Sequence, residues 1–240
     1  MNQIEAIHMR QSRRAYQPTP ISPDQCAILN QVLNRINQES GLSLQFITDG
    51  KDAFKQLKVG YGIFSGVQSF FAMIGKANDK NLKEKIGYYG ELLVLEATKL
   101  GLGSCWIGAT ITPDQCPFSV GEDEKISLII TVGNVSDKKT LKENIIAKLT
   151  HRRTKSIDQM STVDSPTPEW FLEGMKAVQK APSAINLQPV HFEYKNGTVT
   201  ATVKSIERHQ LIDLGIAKAH FEIGAGGKFD FGNGASFLKA

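Results

Sequence analysis

Apolar and polar positions follow helical spacing in some stretches of this chain and form short β-prone runs in others, and the changes mark its elements. Ser22-Pro23-Asp24-Gln25 combines an N-cap hydroxyl, a proline at the first helical position, an acid in the first turn and a glutamine at the capping-box position. This predicts a helix from residue 23 to about residue 38. Thr112-Pro113-Asp114-Gln115 repeats that pattern, and Thr167-Pro168-Glu169 is a weaker version leading into a helix over 170–179. Residues 81–100 read as a long, mostly buried helix, with Leu92, Leu93, Leu95, Glu96 and Ala97 crowding its second half. The runs 44–48 and 69–74 are short, apolar and rich in aromatic or branched residues, and 126–132 is the strongest strand of the chain. Residues 191–203 predict a hairpin whose Asn196-Gly197 suits a type I′ turn, and 212–223 a further helix. Past the 126–132 strand, 136–165 is polar with little periodicity, so the join between two lobes falls there.

Composition narrows the class. The chain has 240 residues, 41% hydrophobic and 22% charged, which is ample for one large domain or two lobes. No apolar run approaches the ~18 residues of a membrane span. The first residues, Met-Asn-Gln-Ile-Glu, lack a basic region followed by an apolar core, so a cytoplasmic location is the expectation. Cys26, Cys105 and Cys116 form no C-x-x-C pair and fit a reducing compartment. A net charge of +4, spread along the chain apart from His151-Arg152-Arg153-Thr154-Lys155, favours small anionic ligands over nucleic acid.

Three segments carry candidate chemistry. In Met9-Arg10-Gln11-Ser12-Arg13-Arg14, the side chains of Arg10, Ser12 and Arg14 alternate, so an extended segment turns all three the same way and lets them converge on one phosphate. The alternative is a solvated basic segment. Ala181-Pro182-Ser183-Ala184-Ile185-Asn186-Leu187-Gln188-Pro189 sets a small-residue turn and two amide side chains before a strand, an arrangement suited to holding a planar heterocycle. The alternative is a helix end passing through a proline turn, with Asn186 and Gln188 satisfying backbone groups. After the long helix, Gly101, Gly103 and Ser104 allow close approach to a ligand, or Gly101 is a helix C-cap. Trp106 stands where G-x-G-x-x-G would need glycine, so this is not a dinucleotide fingerprint. Gly60-Tyr61-Gly62 misses that spacing too and reads as a loop over the site. His191-Phe192-Glu193 and His220-Phe221-Glu222 echo the H-x-E of zinc deaminases, but no P-C-x-x-C follows either, so no metal is expected.

Together the arginine segment, Pro182 to Gln188 and the glycine turn resemble the flavin-binding motifs of the nitroreductase family, in its single-chain, internally pseudo-symmetric form. The resemblance implies an α+β fold with an antiparallel-containing sheet flanked by helices, in two lobes over 1–155 and 156–240. In that family the Pro-Ser-x-x-Asn motif follows one helix after the arginine motif. Here Glu39-Ser40-Gly41-Leu42-Ser43 stands at that place without Pro, Asn or Gln, and the motif comes instead in the second half. That half reads as a degenerate copy, in which Leu214 to Glu222 takes the place of Tyr89 to Glu96 and Gly224-Ala225-Gly226-Gly227-Lys228 replaces the glycine turn. The resemblance implies one FMN per chain. Arg10, Gln11, Ser12 and Arg14 would serve its phosphate and ribityl chain, Arg13 supplying the charge that Gln11 lacks and a member of the basic run Arg152, Arg153 and Lys155 closing on the phosphate. Gly101, Gly103 and Ser104 would lie beside the ring, and Pro182, Ser183, Asn186 and Gln188 against the ring and ribityl region. It further implies NADH or NADPH as co-substrate, a nitroaromatic or quinone acceptor, ping-pong turnover, and a monomer with an internal pseudo-two-fold and neither nucleic-acid nor membrane partner. The rival reading is a non-catalytic flavin-binding or flavin-sensing protein.

Overall fold

The computed structural model describes residues 1–56, 63–108, 117–150, 153–164, 166–206 and 209–240. The helix start expected at Thr112, the Gly60-Tyr61-Gly62 loop and Cys116 lie outside them. The chain divides into two compact units. The first comprises Met9–Leu82 and Leu93–Leu149, the second Met1–His8, Lys83–Leu92 and Thr150–Ala240.

In the first unit, helix α2 (Pro23–Ser40) starts on the expected capping box, with Ser22 Oγ accepting from Gln25 N and Gln25 Oε1 from Ser22 N. It ends at Gly41, whose φ of +69° suits glycine, while Ser40 Oγ donates to Ile36 O at 2.6 Å. Residues 39–43, where the resemblance would have put the Pro-Ser motif, thus serve to terminate a helix. Strands β1 (Gln45–Ile47), β2 (Ser69–Lys76), β3 (Gly103–Ile107) and β4 (Glu124–Gly133) form an antiparallel sheet in the order β1-β2-β4-β3. Every residue from Phe70 to Ile74 is fully buried, which explains why β2 reads as an unbroken apolar run and not an alternating one. Helix α3 (Lys51–Gln56) covers part of one face through Ala53. The long helix α4 (Leu82–Lys99) joins β2 to β3, and α5 (Leu141–Thr150) follows β4.

In the second unit, α7 (Glu169–Val178) precedes β6 (His191–Lys195) and β7 (Thr198–Thr202), and α8 (Gln210–Ala225) precedes β8 (Gly227–Phe229) and β9 (Ser236–Lys239). Positive φ at Asn196 (50°) and Gly197 (77°) gives the hairpin the turn expected of it. The sheet order is β5-β6-β7-β9-β8, with the short strand β5 (Ser161–Val163) parallel to β6 and the other pairs antiparallel. Phe171, Met175, Phe192, Leu214, Phe221, Phe229 and Phe237 fill the core, Phe192 stacking on Phe221 at 5.1 Å.

Apart from β5, the two sheets repeat one plan: helix, two paired strands, helix, two more strands, in the spatial order 1-2-4-3. The α4 residues that belong to the second unit cross α8 in a reciprocal way. A side chain at Gly87 would collide with the Ile212 carbonyl, and one at Gly215 with the Glu84 carbonyl. Ile212 and Gly215 are each 128 positions beyond Glu84 and Gly87, so each contact is the exchanged copy of the other. The counterpart of Gly215 is therefore Gly87, one helical turn earlier than the register the sequence comparison suggests.

Two expectations are corrected. The glycine turn after α4 ends at Leu102, and Gly103–Ile107 is strand β3, because Ser104 to Ile107 pair with Ile129 to Val132 of β4. The polar stretch 136–165 contains α5, α6 (Ile157–Met160) and β5.

Candidate functional site

The arginine segment leaves helix α1 (Gln3–Met9) at Arg10 and runs along the edge of β3. Ser12 bridges Ser104 in parallel, Arg13 N donates to Ser104 O at 2.9 Å, and beyond it Tyr16 N donates to Ser65 O at 3.0 Å. The extended course expected for Arg10, Ser12 and Arg14 is thus fixed by backbone pairing. Tyr16 is buried and its hydroxyl bonds Arg13 O (2.9 Å) and Thr131 Oγ1 (2.8 Å). Burial, with the nearby Cys105 and Glu143 adding to it, raises the Tyr16 phenol well above its usual pKa.

The three arginines divide into two roles. Arg13 is buried, its Nε 3.1 Å from Glu143 Oε1 and its Nη1 2.8 Å from Ser136 O. This corrects the expectation that Arg13 supplies a phosphate-binding charge, since Glu143 already neutralises it. Arg14 is half-buried, and among the described residues no hydrogen bond reaches its guanidinium. Arg10 and Arg14 both lie close enough to lower the Cys105 thiol, although burial, the larger effect, leaves it raised; Ser12 also bonds that thiol. Lys139 joins them. Burial lowers its ammonium first, and the charges of Arg13, Arg14 and Arg10 lower it further against the pull of Glu143. Arg10 and Arg14 therefore bring positive charge beside Cys105 and Ser12, and Lys139 adds its charge near those arginines, while Gln11 is exposed.

Gly101 is the C′ residue of a Schellman motif ending α4, with φ +77°, Gly101 N on Thr98 O (3.0 Å) and Leu102 N on Ala97 O (2.9 Å). Gly103 matters through what passes it: a Cβ there would fall 3.0 Å from Arg13 Cβ, so the glycine lets the arginine segment lie against β3. Ser104 is buried and acts through its carbonyl.

In the second unit, the Pro182 segment departs from ordinary backbone geometry. Ile185, Asn186 and Gln188 have φ of 44°, 52° and 48°. For a branched residue such as Ile185 this is a sterically costly conformation, and strain of this sort collects at ligand clamps. A single 3₁₀ turn, Ala184–Asn186, fixes it, with Asn186 N on Ser183 O and Leu187 N on Ala184 O. Gln188 N donates to Ser183 Oγ at 2.9 Å. The Gln188 side chain is buried and bonds Lys155 N (2.9 Å) and Arg153 O (3.2 Å), so it braces the segment from behind. Arg153 is exposed, and Arg152 lies outside the described residues. Asp213, on α8, accepts from Ala184 N at 3.0 Å through Oδ1. Its Oδ2 is buried and receives no hydrogen bond among the described residues. Together with Pro182, Ser183 and Gln188 it lines a hollow of ≈ 240 Å³, mouth included. Burial raises the Asp213 carboxyl to about 7, the Ala184 N–H opposing it.

Lys139, Glu143 and Asp213 were not among the sequence candidates. Glu143 carried a readable signal, since Thr140-Leu141-Lys142-Glu143 is a capping box. Among the described residues no group of three or more His, Cys, Asp or Glu could hold a metal ion. No helix there is long and apolar enough to cross a membrane.

The fold is thus α+β, with antiparallel-containing sheets flanked by helices and a cluster of positive charge beside the edge strand of one of them. Its family follows from sequence comparison: the model described as "Putative TM nitroreductase" matches residues 2–225, and the chain belongs to that family. Membership places it among nitroreductase-family oxidoreductases. A structure described as a putative nitroreductase from Thermotoga maritima is 22% identical, with a TM-score of 0.62 over 99% of this chain and 92% of that one. An FMN-dependent nitroreductase from Clostridium difficile R20291 is 19% identical, covering 62% of this chain and 98% of that one (TM-score 0.46). A nitroreductase with bound FMN from Bacteroides fragilis is 16% identical, covering 59% and 92% (TM-score 0.46). No curated protein matches the sequence significantly.

Proposed function

We propose that this chain is an FMN-dependent oxidoreductase that takes reducing equivalents from NADH or NADPH and passes them to a small nitroaromatic or quinone acceptor. The observation that carries the reading is the division of labour in the arginine segment. One arginine is neutralised by Glu143, while Arg10 and Arg14 bring positive charge together beside Cys105 and the Ser12 hydroxyl and Lys139 lies near both arginines, a donor set suited to a phosphomonoester. Arg14 and Lys139 would hold the phosphate by charge-assisted bonds, and Ser12 would add a hydroxyl. The strained Pro182 to Asn186 segment supports a flat ligand, because its exposed Ile185 and small neighbours offer apolar surface and a fixed backbone. One copy of each motif implies one FMN per chain, and a chain that works as a monomer. FMN, when bound, supplies the redox chemistry itself, so the protein needs to orient the cofactor, exclude water and place positive charge.

The test is steady-state turnover by the FMN-loaded protein with NADH or NADPH and a nitroaromatic or quinone acceptor. Parallel double-reciprocal lines are expected. Tight FMN binding with no turnover on either nucleotide would favour the flavin-binding reading without catalysis.

A further inference from the structure

Glu143 accepts hydrogen bonds from five donors. A capping-box glutamate normally turns back over its helix end and leaves one oxygen in water. Here Oε2 accepts from Thr140 N (2.9 Å) and Thr140 Oγ1 (3.2 Å), which is the expected box. Oε1 takes three further donors from the arginine segment: Arg14 N at 2.7 Å, Ala15 N at 3.2 Å and Arg13 Nε at 3.1 Å. The residue is 2% exposed. Burial alone would push its carboxyl up, but the N–H groups of Arg14 and Thr140, the Arg13 guanidinium and the Ala15 N–H outweigh it and bring the pKa to about 2. It is therefore a fixed anion at any working pH.

We propose that Glu143 is a positioning residue for the cofactor phosphate: it clamps the backbone at Arg14 and Ala15 so that the Arg14 guanidinium is presented to the anion, and it holds Arg13 away from it. This rests on the FMN reading for the identity of the ligand, but not for the clamp. The clamp reaches from α5 to the arginine segment, two stretches separated by most of the first unit's sequence, and the segment's opposite side is held by β3 at Ser104. Loss of Glu143 would leave the backbone N–H groups of Arg14, Ala15 and Thr140 and the Nε of Arg13 without their acceptor and let the segment move.

Simple electrostatics and the clamp predict opposite outcomes. Removing a negative charge beside Arg10, Arg14 and Lys139 makes the site more positive, so charge alone predicts tighter phosphate binding. The clamp predicts weaker binding. The experiment compares the full-length parent with Glu143→Ala and Glu143→Gln, measuring affinity for FMN and for riboflavin, which lacks the phosphate, and amide hydrogen exchange of the cofactor-free proteins. Expected are FMN affinity lowered about tenfold or more in Glu143→Ala and less in Glu143→Gln, with riboflavin affinity unchanged, since a tenfold loss needs only about 1.4 kcal/mol. Exchange at Arg14 and Ala15 should rise by about the same factor while the β2 and β4 amides keep their protection. Tighter FMN binding in either variant, or unchanged exchange at Arg14 and Ala15, would overturn the proposal. Should Glu143→Ala fail to fold, Glu143→Gln decides by the same two readouts. A parent that binds no FMN would remove the FMN reading, and exchange would still decide the clamp.

Discussion

Asp213→Asn should remove a pH dependence of stability that the parent carries through the Pro182 segment. Asp213 is 4% exposed, with one oxygen on Ala184 N and the other without a hydrogen bond among the described residues. Burial raises its carboxyl from 3.8 to about 7. Between those values the folded chain keeps a proton that the unfolded chain has lost, so the folded state is favoured in acid and that advantage fades as pH rises to about 7. At about 1.36 kcal/mol per unit, roughly two units of that window lie between pH 5 and pH 8, or roughly 2.5 kcal/mol. Asparagine keeps an acceptor for Ala184 N and has no proton to lose. Urea unfolding of both proteins at pH 5 and pH 8 isolates this one residue, because every other titrating group cancels in the difference. The parent should lose about 2.5 kcal/mol relative to Asp213→Asn on going from pH 5 to pH 8. A parent-minus-variant difference that stays flat across this range would refute the reasoning, and one that moved the other way would show that Asp213 is stabilised as an anion.

Gly215→Ala would drive a methyl group into the Glu84 carbonyl and toward Tyr88 N at 2.6 Å, both backbone atoms of a helix, and should cost about 1–3 kcal/mol or more in chemical denaturation. Lys218 is buried, its Nζ 2.5 Å from Glu84 Oε1 and bonded to Asp230 O and Gly232 O. Lys218→Met strands a buried carboxylate and should cost about 3–5 kcal/mol, with Glu84→Gln in the same chain restoring much of it. A Lys218→Met protein as stable as the parent would contradict this pairing.

Elements whose residues declare their own ends were legible in the sequence. The capping box at Ser22, the apolar run of β2 and the Asn196-Gly197 turn each depend on neighbours in the chain. Helix α5 was not legible because its exposed Leu141 and Ile145 blur its apolar face, although Thr140 and Glu143 do mark its start. Strand β3 was hidden by the glycines before it. In the site, the arginine motif could be found, but the split between Arg13 and Arg14 depends on Glu143, which is distant in sequence. Lys139 looked like one more surface cation. Gly87 and Gly90 are a helical turn apart, and only the crossing with α8 distinguishes which of them matches Gly215.

The central claim is that one arginine motif and one Pro-Ser-x-x-Asn motif serve a single FMN. Its most direct test is an equilibrium titration of the full-length apoprotein with FMN, following flavin fluorescence, with Arg14→Glu and with Ser183→Ala/Asn186→Ala in parallel. One FMN per chain is expected, with Arg14→Glu binding at least about tenfold more weakly, as the loss of one charge-assisted phosphate bond would give, and Ser183→Ala/Asn186→Ala binding more weakly than the parent. Two FMN per chain, or affinity unchanged in either variant, would contradict the account.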